Sequence, residues 1–158
     1  MTTVGLIHPG AMGASVGAAG THNKNRVLWA GAGRSDETRE RATRGKLEDC
    51  DSVANLVSES DVILSVCPPH AAEDVASEVI DCGFKGIFVE GNAIAPARSH
   101  GIADRIMAAG ARFVDGGIIG GPAWQTEAGT NFYLSGVDAP EIAALFEGSP
   151  LHASVVSD

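Results

Sequence analysis

The sequence predicts an α/β fold: a doubly wound, mostly parallel sheet with helices on both faces, in a single domain. Three observations predict it. Short apolar runs alternate along the chain with stretches of helical periodicity, and repeated strand–helix units of this length imply parallel strands joined by right-handed crossovers. At 158 residues the chain fits one domain, on a prior of roughly 100–200 residues per domain. Several of its 20 glycines stand where apolar runs end, so they read as tight turns between packed elements.

Each element follows in order. Residues 3–8 form a short apolar strand and 11–20 a helix of small residues. Residues 26–30 (R-V-L-W-A) form a second strand, and 35–44 a polar helix that Ser35 can cap. A short strand at 47–50 and a helical turn at 52–59 come next. Residues 61–66 (D-V-I-L-S-V) are the clearest buried strand. The following helix, 70–82, places Ala72, Val75, Ala76, Val79 and Ile80 on one face. A strand at 86–89 leads to a helix from Pro96, a residue suited to a first turn, to about residue 109. Strands at 112–115 and 131–134 precede a last helix to residue 146, with Asp138 as its cap and Pro140 near its start.

Composition narrows the function. With 44% hydrophobic and 20% charged residues, the chain has the make-up of a folded globular protein. A net charge of -9 disfavours a nucleic-acid surface, which needs a basic face. It leaves room for an anionic cofactor, because backbone N–H groups and one or two local cations can hold a phosphate. Cys50, Cys67 and Cys82 match no C-x-x-C pattern. Their odd number, and a start without basic and apolar leader regions, fit a reducing cytoplasm. No apolar run approaches the ~20 residues that span a bilayer, so no membrane partner is expected. The five histidines show no metal spacing with one another or with cysteine, and no metal is expected.

The chemistry begins at H-P-G-A-M-G, residues 8–13, between the first strand and the first helix. A dinucleotide fingerprint belongs there, and the arrangement is that of a Rossmann fold. Gly10 would let the backbone approach a pyrophosphate, and Gly13 would let the helix pack closely on the strand. His8 stands where the first fingerprint glycine is expected. The literal G-x-S-x-G at 13–17 is not a nucleophile elbow, because Ser15 falls inside the helix. After the second strand, Gly31, Ala32 and Gly33 carry no carboxylate for ribose hydroxyls, whereas Arg34 and Ser35 can receive a 2′-phosphate. The site therefore favours NADP; Asp36 and Glu37, further into the helix, keep NAD open.

These motifs, taken in order, resemble the β-hydroxyacid dehydrogenase and 6-phosphogluconate dehydrogenase superfamily over nearly the whole chain. They are G-A-M-G at 10–13, Arg34, V-C-P-P-H at 66–70, E-G-N-A-I-A-P at 90–96 and D-G-G-I-I-G-G-P at 115–122. The likeness is greatest to a bacterial branch of phosphogluconate-dehydrogenase-like proteins. The resemblance implies that Pro9, Gly10, Ala11, Met12 and Gly13 face the pyrophosphate and that Arg34 and Ser35 face the 2′-phosphate. It implies that Cys67, Pro68 and Pro69 line the adenosine and nicotinamide-ribose edge. Asn92 would lie by the nicotinamide as the catalytic candidate, and Asp115, Gly116, Gly117, Gly120 and Gly121 would border a small-molecule substrate.

Two departures stand out. Ile119 replaces the serine that precedes the family's glycine pair and contacts a substrate carboxylate. The family's second, all-helical domain carries a catalytic lysine and most of a homodimer interface; it lies outside these residues, and Lys24, Lys46 and Lys85 match no catalytic position. The expected function is the NADP-binding domain of an oxidoreductase. Such an enzyme transfers hydride between nicotinamide and a small hydroxy acid, keto acid or imine-like substrate. The alternative is a non-catalytic NADP-binding or sensing module. Among other residues, Met12 reads as gap-filling, Trp29 as core and Cys67 as a small buried residue. Trp124 covers a pocket or stays in an exposed loop, and Glu90 is a minor candidate for a general acid.

Overall fold

The computed structural model describes residues 1–157. Eight strands form one sheet in the order β3-β2-β1-β4-β5-β6-β7-β8. They are β1 (Thr3–Leu6), β2 (Arg26–Trp29), β3 (Glu48–Asp49), β4 (Val62–Ser65), β5 (Ile87–Glu90), β6 (Arg112–Ile119), β7 (Asn131–Ser135) and β8 (His152–Ser157). The first six pair in parallel, β7 runs antiparallel to β6, and β8 is parallel to β7. The strands alternate with α1 (Ala11–Gly20), α2 (Asp36–Arg44), α3 (Val53–Glu59), α4 (Ala72–Asp81), α5 (Pro96–Ala108) and α6 (Ala139–Ala144).

Period-two alternation splits the strand residues into two cores. Val4, Leu6, Val62, Leu64, Ile87 and Val89 pack with α1, α2 and α6 on one face. Leu28, Ile63 and Phe88 pack with α3, α4 and α5 on the other. Trp29 is core, as its apolar strand requires. Ala72, Val75, Ala76 and Val79 form the buried face of α4.

Four details depart from expectation. β6 continues past the expected end at residue 115 to Ile119, so Gly116 and Gly117 are strand residues paired with β7. Its glycines lower strand propensity, but the ladder to β7 outweighs that local term. Residues 152–157, a polar–apolar mixture, form the edge strand β8, which only pairing with β7 reveals. The helix expected from residue 70 opens as a 3-10 turn over Pro69–Ala71. Asp138 occupies the cap position of α6 without capping it, because its carboxylate accepts from Arg112 Nη1 at 2.6 Å. Ser35 does cap α2, accepting from the Thr38 N–H at 3.2 Å.

Candidate cofactor site

The chain leaves β1 towards β2 and β3 on one side and returns to β4 on the other. The carboxyl ends of β1 and β4 therefore bound the crevice where open α/β sheets take ligands. A cavity of about 270 Å³ lies there, lined by His8, Gly10, Ala11, Met12, Gly13, Val66, Cys67 and Pro68. Two segments expected at the site from the sequence thus meet across one cavity.

The two glycines of the turn are glycine for different reasons. A Cβ on Gly13 would stand 2.2 Å from the His8 carbonyl oxygen, so α1 can approach the end of β1 only without one. Gly10 has φ −69°, which any residue adopts, and a Cβ there would meet no protein atom within 4 Å. The protein itself does not demand glycine at position 10; a group approaching the N-terminus of α1 from outside would. The turn is held from behind by Arg41, whose Nε donates to the Pro9 carbonyl at 3.1 Å. The Ser15 hydroxyl, fully buried, donates to the Met12 carbonyl and accepts from the Ala123 N–H, each at 2.8 Å. Ser15 thus ties the loop after β6 to α1, and its burial leaves it no nucleophilic role.

At the end of β2, Arg34 is half-buried and its Nη1 donates to Nδ1 of His8 at 3.3 Å. Burial first, and the Arg34 charge second, push the His8 pKa below its ordinary value. Arg26, Arg39, Arg41, Arg98 and Arg112 each have a carboxylate partner, whereas Arg34 has none among the described residues. Ser35 is exposed beside it. His8 was expected only as a departure from the fingerprint; its role as a partner of Arg34 depends on a contact between residues 26 positions apart.

A second polar cluster joins the ends of β4, β5 and β6. Asn92 is 6% exposed. Its Oδ1 accepts from the Cys67 N–H at 2.8 Å, and its Nδ2 reaches Ser65 Oγ and Cys67 Sγ, each at 3.4 Å. The side chain is turned inward to the β4 end, and Asn92 braces the cavity wall at Cys67. Cys67 is half-buried, and burial pushes its thiol pKa up, away from a reactive thiolate. Pro69 is fixed through its carbonyl, which accepts from Arg98 Nη2 at 2.6 Å.

Glu90 is fully buried at the end of β5, in register with Ser65 on β4 and Asp115 on β6. Its Oε1 accepts from the Asn92 N–H at 2.8 Å, while Oε2 has no partner among the described residues. Burial raises its pKa to about 7; the Asn92 hydrogen bonds oppose the rise, and the charges of Asp115 and Glu73 add to it.

The glycine run after β5 divides in the same manner as the turn. A Cβ on Gly116 would stand 2.7 Å from the Phe132 ring, and Gly120 has φ +128°, so the fold requires both glycines. Gly117 and Gly121 face open space. Asp115 is exposed and accepts from Ser99 Oγ at 2.7 Å. Ile119 is exposed, an apolar group where a carboxylate contact was looked for. Trp124 stacks on Arg44, the guanidinium carbon 3.9 Å from its ring centre, and lines clefts beside α1 and α2. Among the described residues no three His, Cys, Asp or Glu side chains converge on a metal position, and no helix is long and apolar enough to cross a membrane.

The topology, the crevice and the glycine turn define a pyridine-nucleotide-binding domain of the Rossmann type. Residues 3–145 match the family described as the NAD binding domain of 6-phosphogluconate dehydrogenase, and the chain belongs to that family. No curated protein matches it. Among solved structures it is similar to a conserved protein of unknown function described as structurally similar to 3-hydroxyacid dehydrogenases. The TM-score is 0.78 at 25% identity, over 96% of this chain and 57% of that one. It shares its fold with the 3-hydroxyisobutyrate dehydrogenase of Mycobacterium tuberculosis, with TM-score 0.80 at 17% identity, over 99% of this chain and 54% of that one. It shares it equally with an imine reductase from Myxococcus stipitatus solved with NADP+, with TM-score 0.78 at 20% identity, over 99% and 55%. The chain thus spans somewhat over half the length of these proteins.

Proposed function

We propose that the chain binds NADP across the carboxyl ends of β1, β2 and β4 and forms the nucleotide half of an oxidoreductase. The substrate class is a small hydroxy acid, keto acid or imine. The observation that carries the cofactor reading is Arg34, a half-buried cation with no carboxylate partner among the described residues of an acidic chain. It is bonded to His8, which lines the cavity at a helix N-terminus whose capping residue, Gly10, leaves room for a close approach. A 2′-phosphate supplies the missing anion and a pyrophosphate occupies the open turn. Pro9, Ala11, Met12 and Gly13 complete the turn, Ser35 adds a hydroxyl beside Arg34, and Cys67, Pro68 and Pro69 form the opposite wall.

The nicotinamide supplies hydride chemistry when bound. The chain's own residues shape and close its site. Asn92 positions the Cys67 wall, and Gly117 and Gly121 offer open backbone on which a substrate can rest, with Asp115 beside Gly117. A binding module without turnover is the second reading. What favours it is that Asn92 is turned inward and Glu90 is sealed, so neither meets the cavity as a free proton donor. The family resemblance implies a catalytic lysine and a dimer interface on a helical domain outside these residues. The 158-residue chain alone is therefore expected to bind NADPH and to turn over no hydroxy acid, keto acid or imine in an absorbance assay.

Calorimetric titration tests the cofactor reading. NADPH should bind more tightly than NADH, and Gly10→Val should abolish binding of both. A Cβ at that position meets no protein atom within 4 Å, so the variant should keep its circular dichroism spectrum and thermal midpoint. Normal binding by a folded Gly10→Val protein would place the cofactor elsewhere.

A further inference from the structure

We propose that His8 is a specificity-determining residue that acts through Arg34, holding the guanidinium at the end of β2 and so setting the preference for NADP over NAD. The inference rests on the NADP reading above and extends it to a residue that the fingerprint would have made glycine.

Three observations carry it. His8 stands two residues past the end of β1 and lines the cavity beside the glycine turn, so its ring fills room that a glycine would leave open. Its Nδ1 is the hydrogen-bond partner of Arg34, at 3.3 Å, and no carboxylate competes for that guanidinium among the described residues. The backbone of Arg34 is fixed by a short turn, its N–H donating to the Gly31 carbonyl at 3.2 Å with Gly33 at φ +71°, but its long side chain has no other hydrogen bond among the described residues. An arginine that must be ordered when its anion arrives binds that anion more weakly than one ordered beforehand. An imidazole suits the task because it orients the cation without neutralising it, as Asp or Glu would. Burial and the Arg34 charge keep the ring neutral, which leaves the Nδ1 lone pair available.

The test is the ratio of NADPH to NADH affinity, measured by calorimetry on the chain and on variants shown by circular dichroism to fold. His8→Gly, which restores the usual fingerprint residue, should lower the ratio about tenfold, the scale of one hydrogen bond to a charged group. His8→Phe, which fills the same space without an acceptor, should lower it likewise. His8→Asn, whose amide oxygen can stand in for Nδ1, should keep it. In an Arg34→Ala background none of these changes should matter, because His8 acts through Arg34. A ratio that survives both His8→Gly and His8→Phe overturns the inference and leaves the NADP reading intact. A further fall in the ratio on adding His8→Gly to Arg34→Ala also overturns it, since His8 would then act on its own. A ratio near one in the unmodified chain overturns the NADP reading and the inference with it.

Discussion

Two polar clusters stand at the carboxyl edge of the sheet, and each lacks one partner. At the ends of β1 and β2, Arg34 has an imidazole beside it but no carboxylate among the described residues. At the ends of β4, β5 and β6, Glu90 has one oxygen bonded and the other bare. The difference between them is access. Arg34 and His8 are both half-buried, and His8 lines the cavity, so a ligand entering there comes up to the pair. Glu90 is fully buried, so no ligand reaches it and only a proton can relieve its charge. The same edge thus carries an open polar pair and a sealed carboxyl whose proton is held up to about pH 7.

The largest effect that could break this contrast is the pH dependence of stability at Glu90. Its pKa is 4.5 when unfolded and about 7 when folded, so the folded chain keeps a proton that the unfolded chain has lost. Stability from this group is complete below pH 4.5 and is lost as pH rises through about 7. The unmodified chain should lose about 3 kcal/mol relative to Glu90→Gln between those limits, at 1.36 kcal/mol per pKa unit. Denaturant titrations at several pH values measure it, and parallel curves for the two proteins would show that Glu90 is not sealed.

The turn sharpens the open side of the contrast. Gly13→Ala should cost about 2 kcal/mol through its collision with the His8 carbonyl. Gly10→Ala, three residues earlier, should leave the thermal midpoint unchanged and weaken NADPH. Equal thermal effects would mean that both glycines serve the fold alone.

Asn92 links the two clusters. Asn92→Ala should cost roughly 1–3 kcal/mol, because the Cys67 N–H loses its acceptor. It should also weaken cofactor binding by loosening the wall at Cys67. Loss of stability with unchanged affinity for NADPH would separate the clusters.

The smallest effect is that of His8, and its sign is opposite to that of Glu90. Its folded pKa lies below 6.5, so the unfolded chain takes up a proton that the folded chain refuses, and stability falls as pH drops below 6.5. His8→Asn should remove that acid-side decline. Chemical denaturation below pH 6.5 reads it, and an unaltered slope would show His8 to be freely protonated in the folded chain.

Much of this was legible in the sequence where the signal is local. The parallel strands are apolar runs, the turn is a spaced glycine pair, and Ser35 precedes a polar helix that it caps. The edge strand β8 was not legible, because its six residues bear no period that a solvent-facing loop could not share. Nor was the extension of β6 through two glycines, which only the register with β7 stabilises. Asn92 shows the same limit at the site: its identity suggested a polar group for the cofactor, and packing turned the amide towards Cys67.

The fold class, the glycine turn between β1 and α1 and the cation after β2 were readable from the residues alone, because periodicity, glycine spacing and charge act over a few residues. Only the tertiary structure decided which polar groups face the cavity and which are sealed. Glu90, Ser65 and Asp115 meet across three strands, and His8 meets Arg34 across the gap between β1 and β2. Burial and hydrogen-bond partnership belong to such meetings between distant residues, and they set which group awaits an anion and which one keeps a proton.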